Sequence, residues 1–432
     1  MKKKLIVGGT LVALAAGLGV GSVVLGKKAS VQAAGVVAPR FEVDPMWPQP
    51  LPNHWIIGQT IGLDVDTKDN VWIIHRRGSV EAKESYAMTT PPSAECCIAA
   101  PDVLEFDAAG KLIRSWTDPK TGNDWPASNH GISVNPKTGN VWLGANGGGA
   151  PPAAAAGRGP GRAASGTAPA AGINAPEAGV ARAGAVYHDA FMLEFTQDGK
   201  FIKQIGKANM SKGSNDTENV KGVAEIRFND AGELIAADGY GNKRVSVWNP
   251  ETGKYIRHWG AFGVKDVSDA AQPAYVPGDA PNKQFRNPVH CAVPSSDGLV
   301  YVCDRVNDRM QVFKEDGTFV KEINVLPNTR GDGSVWEVAF SKDKAQKFLY
   351  MVDGSNERIH IFDRLSLTEL TAFGDGGRQP GQFYAAHSIA TNSKGDIFTT
   401  ETYRGQRVQK FVYKGLGPVT AAYVPNVWPK KK

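Results

Sequence analysis

The sequence predicts an all-β fold, a closed propeller of six blades, and three observations lead there. The first is a module: Phe285 to Phe313 reads FRNPVHCAVPSSDGLVYVCDRVNDRMQVF. Two β-rich runs, HCAVP and LVYVCD, flank the turn cluster SSDG, and RMQVF follows the polar link RVND, the pattern of an antiparallel meander. FVKEINV adds a fourth strand, and four strands in about 40 residues make one propeller blade. The second is recurrence: HSIATNSKGDIFTTETYRGQRVQKF repeats the order, and His387 precedes Glu401 by 14 residues just as His290 precedes Asp304. The third is number. Further copies begin at Ile61, His130, Ala224 and Val335, which makes six.

Taken in order, residues 1–35 read as a targeting segment: KKK precedes the uncharged apolar run Leu5 to Gly26, and Val31-Gln32-Ala33 offers small residues for cleavage. The protein is expected to be exported, periplasmic or extracellular, and to touch a membrane only if residues 5–26 stay on as an anchor. Subtracting the five lysines of this segment from the formal charge of +6 leaves +1. That near-neutral body gives no argument for a nucleic-acid partner.

The propeller is expected over 36–428, as a monomer. RFEVDPMWPQPLPNHW supplies a strand and an extended strap that complete the last blade and leave no open edge. Blade one starts near Gly58; its second strand ends in HRRG, and Ser79 to Pro101 is a long loop carrying Cys96 and Cys97. Blade two starts at His130 and is interrupted by an Ala/Gly/Pro-rich insertion, 147–185. That stretch has too little apolar surface to offset its ordering entropy and is expected to be disordered. In the last four blades an acid precedes an arginine by five or six residues: Asp238 and Arg244, Asp304 and Arg309, Asp353 and Arg358, Glu401 and Arg407. Such a pair can fix the loop between two strands, and it is read as structural. Cys291 and Cys303 are equidistant from their turn and could face each other across the hairpin, whereas Cys96 and Cys97 are open to a vicinal disulfide or two thiols.

The innermost strand of each blade lines the central channel. At the start of those strands stand Ile61, His130, Ala224, His290, Trp336 (or Val335) and His387. Histidine thus occupies blades two, four and six, about 120° apart, and three neutral imidazoles with an open fourth position form the pattern of a catalytic zinc site. A lone histidine at a strand start is usually a hydrogen-bonded channel residue; the shared register on alternate blades argues for metal. His54, His75, His188, His258 and His360 fall outside that register and are read as structural or surface residues.

HGISV, DGYGNKRVSVWNPETGKYIRHWG, FRNPVHCAV with CDRVNDRMQVF, PGQFYAAHSIA and GQTIGLDVDTKDNVWIIHRRG resemble successive blades of the NHL-repeat lyase domain of peptide-amidating enzymes, peptidyl-α-hydroxyglycine α-amidating lyase. The resemblance covers about residues 41 to 414, apart from the insertion. It implies zinc held by His130, His290 and His387, with Tyr240 as base and Arg76 and Arg305 gripping a substrate carboxylate. Zinc would acidify a carbinol hydroxyl, a tyrosinate would take its proton, and the C–N bond would break to release an amide and glyoxylate. The substrate class that the resemblance implies is a small or peptide-derived N-substituted α-hydroxyglycine. Departures are Ala385, where the family has a methionine in the site, and Ser388, where it has an aspartate associated with a structural Ca2+. Gly241 and Cys303 likewise depart from the family's disulfide pattern. Two other functions are weighed: a lactonase-like metal hydrolase, which usually needs carboxylate and Asn ligands around calcium, and a non-enzymatic envelope binding module.

Overall fold

The computed structural model describes residues 36–120, 123–149, 187–279 and 282–419. The leader expected over 1–35, and residues 150–185 of the insertion expected over 147–185, lie outside the described residues. Immediately flanking the latter, Gly148–Gly149 pairs with Tyr187–His188 in a two-residue antiparallel ladder.

Six four-stranded antiparallel sheets are arranged as blades. Their innermost strands are Gln59–Val65, Asn129–Val134, Val223–Phe228, Val289–Pro294, Glu337–Phe340 and Ala386–Thr391. Each touches the innermost strand of the next blade, and the sixth touches the first, so the ring is closed. Closure uses the first described strand: Val37–Asp44 pairs with Arg407–Pro418 as the outermost strand of blade six. The strand foreseen in RFEVD is therefore the clasp of the ring, and it covers an edge that would otherwise be open to pairing.

Second strands such as VWIIHR, LVYVCD and FLYMVD are almost wholly buried because each sheet is covered on both faces by its neighbours. Their β-branched and aromatic side chains suit that setting, since a two-sided sheet needs continuous rather than alternating apolar character. Trp72, Trp142 and Trp248 fill the spaces between blades. The first turn of several blades is tied by one side chain: Asp66 accepts from the N–H of Lys68 and Asn70 at 2.8 and 2.9 Å, and Asn229 and Asn392 each accept from a backbone N–H four residues on.

Three of the four acid and arginine pairs form: Asp238 with Arg244 at 2.8 Å, Asp304 with Arg309 at 2.7 Å, and Glu401 with Arg407 at 2.6 Å. Blade five differs. Arg358 is exposed, and the buried Asp353 instead faces His360 Nε2 at 3.4 Å. Arg358 and Asp353 are directly opposite in the ladder, but His360, two residues on, is buried beside Asp353. Both disulfides are present, Cys96–Cys97 and Cys291–Cys303, the latter between residues directly opposite in the hairpin. No helix among the described residues is long and apolar enough to cross a membrane.

Candidate metal centre

In five blades the pairing of the innermost strand shifts at one place, and that place holds Ile61, His130, Ala224, His290 and His387. Such a bulge puts an extra residue out of the ladder and re-aims its side chain. The backbone irregularity therefore coincides with the register that the sequence picks out. In blade five the same position is Trp336, just before the strand Glu337–Phe340, with its N–H on the carbonyl of Val352 at 3.0 Å.

The three histidines converge. Their ligand atoms all lie within 4.8 Å of one another, and their ring centroids are 5.1, 4.8 and 4.8 Å apart. All three are buried. The odd-numbered blades set their tautomers: Nδ1 of His130 donates to the Ala224 carbonyl at 2.7 Å, and Nδ1 of His290 to the Trp336 carbonyl at 2.7 Å. His387 reaches blade one through a hydroxyl. Ser388 donates to the Ile61 carbonyl at 3.0 Å, so its oxygen accepts from His387 Nδ1 at 3.1 Å. With the proton on Nδ1 in each ring, the Nε2 lone pairs are the ones left to act, and an acceptor behind each imidazole is the usual support of a metal-bound histidine. The donor set thus fits a borderline-soft divalent cation. Among the described residues this is the set of three His, Cys, Asp or Glu side chains with ligand atoms so close together.

Tyr240 and Arg305 join the cluster. The Tyr240 hydroxyl lies 3.0 Å from His130 Nε2 and accepts from Arg305 Nη1 at 3.2 Å. Arg305 is 3% exposed; its guanidinium is 4.6 Å from the Trp336 ring centre and 5.8 Å from that of Tyr240, within cation–π range. Arg76 stands apart from these contacts. It fills the seam between blades one and two, donating to Gln59 Oε1, the Asn129 carbonyl and Asn146 Oδ1 at 3.2, 3.3 and 3.2 Å. Five of the six expected site residues therefore meet, and the sixth is joined to them through Asn129, next to His130.

Sequence similarity is partial. Over 93 residues the chain is 34% identical to peptidyl-glycine alpha-amidating monooxygenase A of Xenopus laevis, and the B form gives the same figures. That stretch is 21% of this chain, and the chain spans only 9% of the length of these curated relatives. No family model matches. Among solved structures, a catalytically inactive virginiamycin B lyase from Staphylococcus aureus with quinupristin has a TM-score of 0.42 at 13% identity, covering 87% of this chain and 89% of that one. A streptogramin B lyase structure has a TM-score of 0.44 at 12% identity, with coverages of 88% and 99%.

Beside the cluster lies a cavity of about 740 Å3, lined by Gln59, Asp332, Trp336, Glu357, Ala385 and Tyr403 among others, a volume in the range of small-molecule sites. Ala385, with φ of 54°, and Glu357, with φ of 56°, are joined there, the carboxylate accepting from the Ala385 N–H at 2.8 Å. Burial pushes the Glu357 carboxyl up to about 7.

One register step further along the innermost strands, Arg227 bonds Glu225 and Glu337, each at 2.8 Å, with Asp64 at 3.7 Å. Burial, reinforced by the neighbouring Glu225, pushes the Glu337 carboxyl well above the usual range. These carboxylates are gathered around a guanidinium, and Ser388, in the position the resemblance gives to a calcium-associated aspartate, supports His387.

Sequence reasoning placed Trp336 in the ring but did not foresee its contact with Arg305, and it missed Asp332, Tyr403 and the support role of Ser388. The one legible signal was the run Gly331-Asp332-Gly333, an acid between two turn residues at a blade junction.

Proposed function

We propose that this protein is a metal-dependent lyase that cleaves the C–N bond of N-substituted α-hydroxyglycines, releasing an amide and glyoxylate. The observation that carries the reading is the meeting of three Nδ1-protonated histidines with a tyrosine hydroxyl and a buried guanidinium at one end of the channel. The partial likeness to the amidating monooxygenases of Xenopus laevis supports it.

His130, His290 and His387 would hold the ion, and zinc is the cation this donor set suits best. Bound there, zinc supplies Lewis acidity toward a carbinol oxygen. Tyr240 acts as the base: as phenolate it takes the carbinol O–H proton. The electron pair of that bond forms the aldehyde C=O, the C–N bond breaks, and the nitrogen takes that proton from Tyr240 to leave as the amide, which restores the phenolate. Arg305 faces the phenol oxygen and offers a counter-charge while the proton is away. Burial of Trp336 and the three imidazoles excludes water from the charge being moved.

We further infer export and a small or peptide-derived substrate. Two disulfides accord with an oxidising compartment, and the cavity accords with the substrate size.

The test is incubation of the zinc-loaded protein with α-hydroxyhippurate. Benzamide and glyoxylate in equal amounts are expected; an unchanged substrate at stoichiometric zinc overturns the reading.

A further inference from the structure

Two arginines were expected at the site, and their surroundings differ in charge. Arg305 is boxed in: beyond Tyr240 and Trp336, its Nη2 faces Asp332 Oδ1 at 3.6 Å. Asp332 is itself held, since its Oδ2 accepts from the Tyr403 hydroxyl at 2.8 Å. The loop carrying it is pressed against Arg305. Gly331 and Gly333 both have positive φ, 73° and 74°, and a Cβ on Gly333 would come within 2.0 Å of the Arg305 carbonyl oxygen. Only glycine at position 333 permits this approach. The Arg305 guanidinium thus has an acid on one side and the phenol oxygen on the other. All three Arg76 contacts, by contrast, are to neutral amide or backbone oxygens.

The cavity is lined by Gln59 and Asp332, the partners of Arg76 and Arg305, so a carboxylate entering it would approach the two cations on unequal terms. At Arg305 it must approach a guanidinium whose charge is already shared with Asp332, and it is repelled by that acid in a partly dehydrated space. At Arg76 it displaces only neutral acceptors.

We propose that Asp332 is a specificity-determining residue that reserves Arg305 for Tyr240 and leaves the substrate carboxylate to Arg76. This rests on the lyase reading of the same site and assigns separate tasks to two arginines that chemistry alone would treat as equivalent. Asp332 acts through Arg305 as a positioning residue, with Tyr403 fixing its carboxylate.

The experiment measures calorimetric binding of hippurate, which lacks the reacting hydroxyl, and of its neutral amide hippuramide, alongside turnover of α-hydroxyhippurate. Arg76→Gln is expected to weaken hippurate about tenfold or more and to leave hippuramide unchanged, the loss of one charge-assisted contact. Asp332→Asn is expected to tighten hippurate severalfold with no change for hippuramide, and to lower KM and kcat together as Arg305 is drawn to the ligand. Asp332→Glu restores the wild-type preference and guards against a folding defect. An unchanged hippurate to hippuramide ratio in Asp332→Asn overturns the proposal, as does a loss of hippurate binding in Arg305→Lys larger than in Arg76→Gln. Glyoxylate release with hippurate binding insensitive to Arg76 leaves the lyase reading standing and sinks only the assignment. Hippurate binding that follows the expected pattern without glyoxylate release does the reverse.

Discussion

Nδ1 of His290 lies 2.7 Å from the carbonyl oxygen of Trp336, so a blade with no ligand of its own orients the ligand of its neighbour. The same relation links His130 to Ala224 and, through Ser388, His387 to Ile61. One divalent cation per chain is the expected result of metal analysis on purified protein. His290→Ala should abolish it while the far-UV spectrum stays that of a β protein, and excess zinc should raise the Tm of the wild type only.

Ser388 carries the same orienting load with a hydroxyl. Ser388→Ala leaves Nδ1 of His387 without that acceptor, and support residues of this kind typically change metal affinity 10–100-fold. A competition titration with a chromogenic chelator should show a weakening of about tenfold in Ser388→Ala. An unaltered affinity would mean that Ser388 does not orient its neighbour.

Tyr240→Phe removes the hydroxyl between His130 and Arg305 and keeps the ring. Loss of a general base costs roughly 10²–10⁴ in kcat, and zinc content should stay at one per chain. A variant retaining more than a tenth of wild-type turnover would remove Tyr240 as the base.

A pH effect is expected away from the channel. Burial by itself would lower the His360 pKa, but Asp353 and Glu369 outweigh it and raise it to about 9. A group raised in the folded state stabilises below its unfolded pKa of about 6.5 and loses that contribution as pH rises through about 9. Allowing for the half-exposed Glu369 partner, about 2 kcal/mol is at stake. Denaturant midpoints between pH 6 and 10 should fall for the wild type, and the fall should be smaller in His360→Asn.

Gly62 tests blade contact in the channel. A Cβ there would lie 2.4 Å from the His130 carbonyl oxygen and 2.6 Å from Ile74 Cγ2. Gly62→Ala is therefore expected to cost about 1–3 kcal/mol, read as a lower denaturant midpoint, and to weaken zinc by moving the strand that carries His130.

The blade count, the closing strand and the three histidines were legible because each repeats: a period of strands and turns, a matched spacing from His290 to Asp304 and from His387 to Glu401, and a shared strand start. The bulge at that strand start was not legible, because an extra residue in one strand shows only against its paired partner. Arg358 was misassigned for a related reason. Position in the ladder set it opposite Asp353, while burial selected His360. Asp332 was hidden because its partners, Arg305 and Tyr403, belong to different blades and lie 27 and 71 residues away in the chain. Charge pairing across blades leaves no local pattern.

The rim strand Val37–Asp44 is made well before its partner Arg407–Pro418, and all the other blades lie between them in the chain. The circle can be fastened only after all six blades have been made. A nascent chain that halts before residue 407 would keep an unzipped sixth sheet, and removal of the first eight described strand residues from finished protein would reopen it at the same seam.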